Sequence, residues 1–270
     1  MRNRLPFDRS NPAVRGAAIA TLSTVGFFGI IGVLVVRSPG WPKVHKAFFD
    51  GHHFRAAMPD IIHGFWLNVR LFLIAEAIVL AIGLLVAVIR NIPGPALFPL
   101  RLLSTIYTDV FRGVPTILLI YLFGFGMPAL GLDKPWNSPL LWGTVAISLN
   151  YGAYVAEVFR AGIRSVHPSQ MAAARSLGLS QWKAFRFVII PQAVRRVVPP
   201  LLNDFVALQK DTALVATLGP LEALRNAQIY ASSKFNYTAY VGAALLFLAL
   251  TIPLARITDV MLIRQERGRR

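Results

Sequence analysis

Residues 158–203 read VFRAGIRSVHPSQMAAARSLGLSQWKAFRFVIIPQAVRRVVPPLLN. Arg160, Arg164, Arg175, Lys183, Arg186, Arg195 and Arg196 fall in this stretch, and no Asp or Glu does. It lies between long apolar runs in a chain that is 55% hydrophobic and 15% charged, whereas soluble domains carry about a quarter charged residues. Lys and Arg collect in the cytoplasmic loops of membrane proteins, so the fold class is all-α, a polytopic helical membrane protein. The net charge of +16 therefore does not imply nucleic acid, because the basic residues are scattered among loops flanking apolar runs. No cysteine is present, which excludes disulfides and thiolate metal sites. His45, His52, His53, His63 and His167 make no recognised ligand spacing, and no metal is expected.

A hydrocarbon core of about 30 Å takes about 20 apolar helical residues. Six candidate transmembrane helices follow: 17–36, 62–89, 104–127, 139–162, 201–218 and 238–262. The first is preceded by Arg2, Arg4, Arg9 and Arg15, as a signal peptide would be. It is long for a signal sequence, and Arg37-Ser38-Pro39-Gly40 follows it rather than a small-residue cleavage site, so it reads as a retained span. Arg70, near one end of the second span, can snorkel to the interface. With both termini cytoplasmic, the inner loops hold 18 Lys and Arg against 7 outside, as the positive-inside rule asks. The expected organisation is a cytoplasmic N-terminus at 1–16, an extra helix at 17–36 and an external loop at 37–61. A main transmembrane domain at 62–262 follows, with a cytoplasmic loop at 163–200, and a basic tail at 263–270 closes the chain.

Inside that loop, Pro168 and Ser169 form a helix start with the Ser169 hydroxyl free to cap. Ala172, Ala173 and Ala174 favour helix, and Gly178 can take the left-handed conformation that ends it. Ser180 offers a second cap, and Trp182, Phe185 and Ile189 fall on one helical face. Pro191 clashes with the carbonyl of Phe187, so the second helix is expected to bend or end there. An ordinary interfacial loop needs neither two caps nor a small-residue helix between them. The arrangement reads as a docking surface, since small side chains admit another backbone closely.

The same residues resemble the cytoplasmic loop of permease subunits of ATP-binding-cassette importers, whose signature is Glu-Ala-Ala, a Gly three residues later and then Ile-x-Leu-Pro. Here stand Ala172-Ala173-Ala174, Gly178 and Ile189-Ile190-Pro191. The polar amino acid branch is resembled by residues 149–160 (LNYGAYVAEVFR), Gln170-Met171, residues 173–178 (AARSLG) and residues 190–193 (IPQA). Phe111-Arg112-Gly113-Val114-Pro115 and residues 208–214 (LQKDTAL) agree too, and the likeness covers roughly residues 60–265. It implies a five-helix importer core plus one extra N-terminal helix, with a short cytoplasmic coupling helix. Ser169, Gln170, Ala172, Ala173, Ala174, Arg175, Leu177 and Gly178 would then couple to an ATPase. The implied partners are two cytoplasmic ATPase subunits, a second permease subunit, identical or homologous, an external binding protein and the lipid bilayer of a bacterial inner membrane. The implied substrate is a small polar amino acid. Ala172 departs from the family's usual Glu. The chain lacks the G-x-x-x-x-G-K-[ST] phosphate loop, so it is expected to be no enzyme and to bind no cofactor, with ATP and Mg on the partner ATPase.

Ionisable groups within spans cost about 2.5–3.5 kcal/mol at the centre and usually face a cavity or partner. Glu76, Glu157, Arg160, Asp204, Lys210 and Asp211 qualify. Lys210 and Asp211 are adjacent, project about 100° apart on a helix and cannot pair with one another. Lys210-Asp211-Thr212 can therefore meet the two charges of a zwitterion, or join internal pairs such as Asp211 with Arg160 and Lys210 with Glu157. Glu157 and Arg160 can pair at i, i+3 near the inner surface, which suits gating or loop anchoring. Glu76 serves helix packing or function equally well, and Arg112 reads as an interfacial anchor. Asn150 and Tyr154 either line the pathway or bond neighbouring helices. The alternative to the importer reading is a gradient-driven secondary amino acid carrier, which the midspan Lys210 and Asp211 would suit.

Overall fold

The computed structural model describes residues 12–91 and 94–267, with side chains from 16 to 91 and 94 to 263. The cytoplasmic placement expected for 1–16 and for the basic tail 263–270 concerns residues largely outside that description. All regular structure among the described residues is helical. The chain divides into two units, residues 1–50 and 51–270.

In the first unit, α1 (Pro12–Val36) exposes every described side chain, almost all apolar, as lipid contact demands. A turn leads to α2 (Trp41–Phe48), where the rings of Trp41, His45 and Phe49 gather on one side. The loop expected at 37–61 is thus partly helical.

The second unit begins with α3 (Gly51–Asn91), which starts eleven residues before the expected span and runs straight through Pro59. Its first turns supply the rest of the correction to the 37–61 loop. Leu71, Phe72, Ala75 and Val79 form its buried stripe at helical spacing, while Arg70 lies over the Trp66 ring at 5.8 Å.

The span expected at 104–127 is broken into α4 (Phe98–Gly113) and α5 (Thr116–Gly126), inclined at 107°. The cause is local. Pro115 has no amide hydrogen and forces the preceding Val114 into extended backbone (φ −99, ψ 132), which no helix can carry.

Next comes α6 (Pro139–Arg164), with Ser138 capping its start through the amide of Leu141. It is the central helix, packed against α3, α4, α5 and α9. Then follow α7 (Pro168–Ser176), α8 (Gln181–Ala184), a π turn over Phe185–Ile189 and α9 (Ile190–Asp211). A 3-10 stretch over Thr212–Leu218 leads to α10 (Ala223–Lys234) and α11 (Thr238–Arg267). The amphipathic helix expected after Ser180 and the span expected at 201–218 are thus one continuous helix to Asp211, with 212–218 in the 3-10 form. The π turn widens the helix just before Pro191, so the proline neither ends it nor leaves a backbone clash.

Among the described residues, three helices are long and apolar enough to cross a membrane alone, or four if α4 and α5 count as one bent span. Helices α6 and α9 fall short of that standard because they carry Asn150, Glu157, Arg160, Arg195, Arg196 and Asp204. In the core, Leu119 and Ile120 of α5 and Ala146, Ile147, Tyr151 and Val155 of α6 join the α3 stripe with Leu208, Val215 and Leu218. Phe72 and Phe205 meet edge to face at 4.7 Å.

A second junction is closer still. A Cβ on Gly64 of α3 would lie 2.6 Å from the backbone carbon of Glu222 and 2.8 Å from the amide nitrogen of Ala223. Backbone cannot move aside as a side chain can. Gly64→Ala is therefore expected to cost about 1–3 kcal/mol and to lower the melting temperature in detergent. Gly126→Ala, with nothing within 4 Å of the added carbon, should leave it unchanged. Equal melting of the two variants would refute the contact between α3 and α10.

Candidate functional site: a docking turn and a polar cleft

The helix start at 168 is capped by a residue other than the expected one. His167 Nδ1 accepts the amide of Ser169 at 3.2 Å and also meets its hydroxyl at 2.7 Å. Ser169 is occupied by this cap rather than supplying it, because it falls inside the first turn. At the other end Gly178 takes φ +84. Its amide donates to Arg175 O at 3.0 Å and that of Leu179 to Ala174 O at 3.2 Å, the two bonds of a Schellman motif. Ser180 then caps α8 through the amide of Lys183, as its position in the sequence suggests.

Ser169, Gln170, Ala172, Ala173, Arg175 and Gly178 are exposed, and Leu177 is 84% exposed at the apex. Ala174 instead is buried. Beneath the turn, Val166, Ile189 and Ala193 form a small core with Met171 and Phe185 packed on it. Gln192 Nε2 donates to Gln170 Oε1 at 3.3 Å. Trp182 does not share a buried face with Phe185 and Ile189. It is 66% exposed, because Ala184 is the residue α8 buries and the π turn changes the register beyond it.

A cleft of about 490 Å³ opens between α4, α6 and α9, lined among others by Arg112, Tyr154, Glu157, Ser165, Arg196 and Asp204. Glu157 bridges Arg90 and Arg160, the Arg160 Nε bond being 3.0 Å, and Arg90 also donates to Thr108 Oγ1 at 2.9 Å. The Arg112 guanidinium lies 5.4 Å from the centre of the Tyr154 ring, and the Tyr154 hydroxyl donates to Arg112 O. Arg196 holds the end of α6 through Ser165 O. Asp204 Oδ2 is buried and has no hydrogen-bond partner among the described residues. Glu76 lies within its electrostatic range.

The remaining expected residues are not all together. Asn150 is buried, accepting from Thr116 Oγ1 and donating to Phe111 O, so it clamps the break between α4 and α5. Lys210, Asp211 and Thr212 stand at the end of α9, where α-helix gives way to 3-10, rather than in the middle of a span. Asp211 accepts the Tyr151 hydroxyl at 2.8 Å, and Lys210 is exposed with no ion pair among the described residues. The pairs Asp211–Arg160 and Lys210–Glu157 do not form, since Glu157 is taken by Arg90 and Arg160 near the other end of α6. Thr212 is buried beside Asn68.

Arg90 and Tyr151 were missed by sequence reasoning. One ends a span as an ordinary anchor would, and the other is an unremarkable aromatic. Asn68 and Glu222 were missed as well. Asn68 donates to Glu222 Oε2 at 3.0 Å and accepts the Ala223 amide at 3.1 Å. Burial raises the Glu222 carboxyl above its ordinary range, although the amides of Leu224, Arg225 and Asn68 act the other way.

Residues 80–270 match the family described as "Binding-protein-dependent transport system inner membrane component". The chain is similar to a protein of Bacillus subtilis named "Probable amino-acid permease protein YxeN", with 35% identity over 76% of this chain and 91% of the relative. It also resembles the B. subtilis "Probable glutamine ABC transporter permease protein GlnM", with 36% identity over 71% and 87% of the two chains. Among solved structures, an amino acid ABC transporter crystallised with histidines aligns at TM-score 0.71 and 30% identity, covering 80% of this chain and 98% of that one. The inward-facing MetNI methionine transporter aligns at TM-score 0.60 and 18% identity, over 76% and 95% of the two chains, and shares the fold.

The turn itself is testable without reference to any partner. Gly178→Val places a β-branched residue in left-handed backbone at a cost of about 1–2 kcal/mol or more. Amide exchange at Gly178 and Leu179 should quicken about tenfold, while Gly178→Asn should stay close to the parent. Unchanged exchange in the valine variant would show that the motif is not formed.

Proposed function

The chain belongs to the family of binding-protein-dependent transport system inner membrane components, and from that premise we propose that it is the permease subunit of an ATP-driven importer for a polar amino acid. The observation that carries the proposal is the doubly capped turn of α7, which holds exposed small residues and Leu177 in one fixed geometry. Such a surface fits a cleft on a separate ATPase. ATP and Mg belong to that partner, because this chain has no phosphate loop of its own. Two ATPase subunits, a second permease and an external binding protein complete the proposed assembly. Six crossings with both termini cytoplasmic remain the proposed topology.

The geometry supports a route from docking to transport. A push on α7 reaches α9 through Val166, Ile189 and Ala193, and through the bond between Gln170 and Gln192. Helix α9 carries Asp204 to the cleft and presses Val197 against Gly162 of α6. Movement of α9 therefore changes the spacing between Asp204 and the Tyr154–Glu157 strip on α6. A cleft that offers Arg112 and an unpartnered carboxylate oxygen suits a zwitterion, whose ammonium needs an acceptor and whose carboxylate needs a donor. Glu157, already neutralised by two arginines, is assigned to closing the inner end. Asn150 and Thr212 are assigned to holding helices, and Asp211 with Tyr151 to the outer end of the same strip.

Purification in mild detergent should recover a P-loop ATPase with the tagged chain, and replacing residues 169–178 by a flexible linker should abolish that recovery. Uptake should stop when ATP is depleted under a maintained ion gradient. Continued uptake would favour the secondary carrier. Within the assembled complex, Asp204→Asn should lower uptake about tenfold or more. Asp211→Asn should have the smaller effect, because asparagine still accepts the Tyr151 hydroxyl. Loss of the complex in Asp204→Asn would assign that carboxylate a structural role instead.

A further inference from the structure

In α1 the apolar run Gly16–Val36 has 21 residues, every one exposed. At 1.5 Å per residue it is about 30 Å long, the thickness of a hydrocarbon core. The run therefore fills that core, and Val36 lies at its boundary, with the exposed Arg37 next in line to meet the phosphates. The chain does not go on straight into water from there. Ser38 donates its amide to Val35 O at 3.1 Å and its hydroxyl to the same oxygen at 2.7 Å. The amide of Trp41 then donates to Ser38 O at 3.1 Å. A turn closed in this way keeps the two Cα atoms within about 7 Å of one another. Whatever direction α2 takes, its first residue is held close to the headgroup layer.

Helix α2 has the two sides that such a level calls for. Trp41, Val44, His45 and Phe48 recur at helical spacing along one side, and Lys43 and Lys46 lie on the other. The Trp41 ring is 5.8 Å from that of His45 and 6.3 Å from that of Phe49, which broadens the aromatic side. No residue of α2 is buried, and Val44 is 43% exposed. A helix of eight residues does not hold in water by itself, since isolated helices shorter than about 12–15 residues are marginal. Its apolar side needs a cover. Continuity names that cover, because the lipid around α1 reaches the turn from which α2 starts. Tryptophan settles at that depth, where its ring is apolar and its N–H wet, and lysines on the opposite side match phosphate charge.

We propose that α2 is an interfacial helix that lies in the plane of an anionic phospholipid surface. Trp41, Val44 and Phe48 point toward the acyl chains, and Lys43 and Lys46 meet the phosphates. The helix thereby pins the end of α1 at the membrane boundary and opposes sliding of that span through the bilayer. This role requires only that α1 crosses the membrane, whatever the second unit transports.

Because the chain contains no cysteine, nitroxide labels can be placed singly in the full chain. Lys43→Cys, Val44→Cys, Lys46→Cys and Phe48→Cys use four exposed positions. In nanodiscs of phosphatidylglycerol and phosphatidylethanolamine, labels at 44 and 48 should collide mainly with dissolved oxygen, which concentrates in lipid. Labels at 43 and 46 should collide mainly with a water-soluble nickel chelate. Nickel access at all four positions would place α2 in water and overturn the proposal. Exclusion of both reagents from 44 and 48 would overturn it too, since protein would then cover that side. Lys43→Gln combined with Val44→Cys should raise the nickel-accessible fraction at 44 about fivefold in these discs and leave it unchanged in neutral phosphatidylcholine. An equal effect in both lipids, or none in either, would refute the contact with anionic headgroups.

Discussion

Within a bilayer the hydrophobic effect no longer drives helices together, since lipid tails are as apolar as leucine, and association rests on how closely backbones can approach. Helix α6 is arranged around that constraint. Leu218 fits against Gly143 and against Gly124 of α5, Ile82 and Tyr107 against Gly152, and Val197 against Gly162. Val155 of α6 in turn fills the space left by Gly83 of α3. Each of these contacts would be blocked by a single added carbon, so the partners of α6 have little freedom to slide. The positions of Tyr151, Tyr154 and Glu157 follow from that fixity. They lie along one strip of α6 that reaches Asp211 at one end and Arg90 at the other.

Polar groups inside the bundle are handled in two ways. Glu157 is surrounded by Arg90 and Arg160, and Asn150 has both ends of its amide engaged. Those groups hold the fold, since leaving either unpaired in a low-dielectric interior would be costly. Asp204 is different. One of its oxygens is buried without a partner among the described residues, on the wall of a cleft. Under the proposed function, a cationic group entering the cleft would supply the missing partner.

Sequence reasoning reached the all-helical membrane fold, the turn at Gly178 and the cap at Ser180 because each depends on local chemistry. Glycine at a helix end and serine before an amphipathic run act within a few residues of themselves. The failures share the opposite property. Pro191 was expected to bend or end a helix; the helix does not end there, because the chain absorbs the proline by widening one turn, a remedy that depends on what packs around it. Pro115 was read within one span, although its effect on Val114 bends the path by more than a right angle. Arg90 lies 67 residues from Glu157, and no periodicity in either segment announces that they meet. Helix α10 escaped notice because its burial rests on small alanines and a polar cap rather than on an apolar stripe.

The remedy at Pro191 bears on how the molecule works. Had the helix ended there, as proline in a helix interior normally requires, the docking turn would hang on a flexible joint and a push on it would dissipate. The π turn instead joins α8 to α9, so helical backbone runs from Gln181 to Asp211. At about 1.5 Å per residue that is a rod of roughly 45 Å, with the docking core of Val166, Ile189 and Ala193 near its base. Val197 bears on α6 and Asp204 meets the cleft farther along. The same helix also carries Pro199 and Pro200, between Val197 and Asp204, and stays helical through both. Continuity through the proline is what the proposed coupling requires, since it joins the exposed turn to the stretch that carries Asp204.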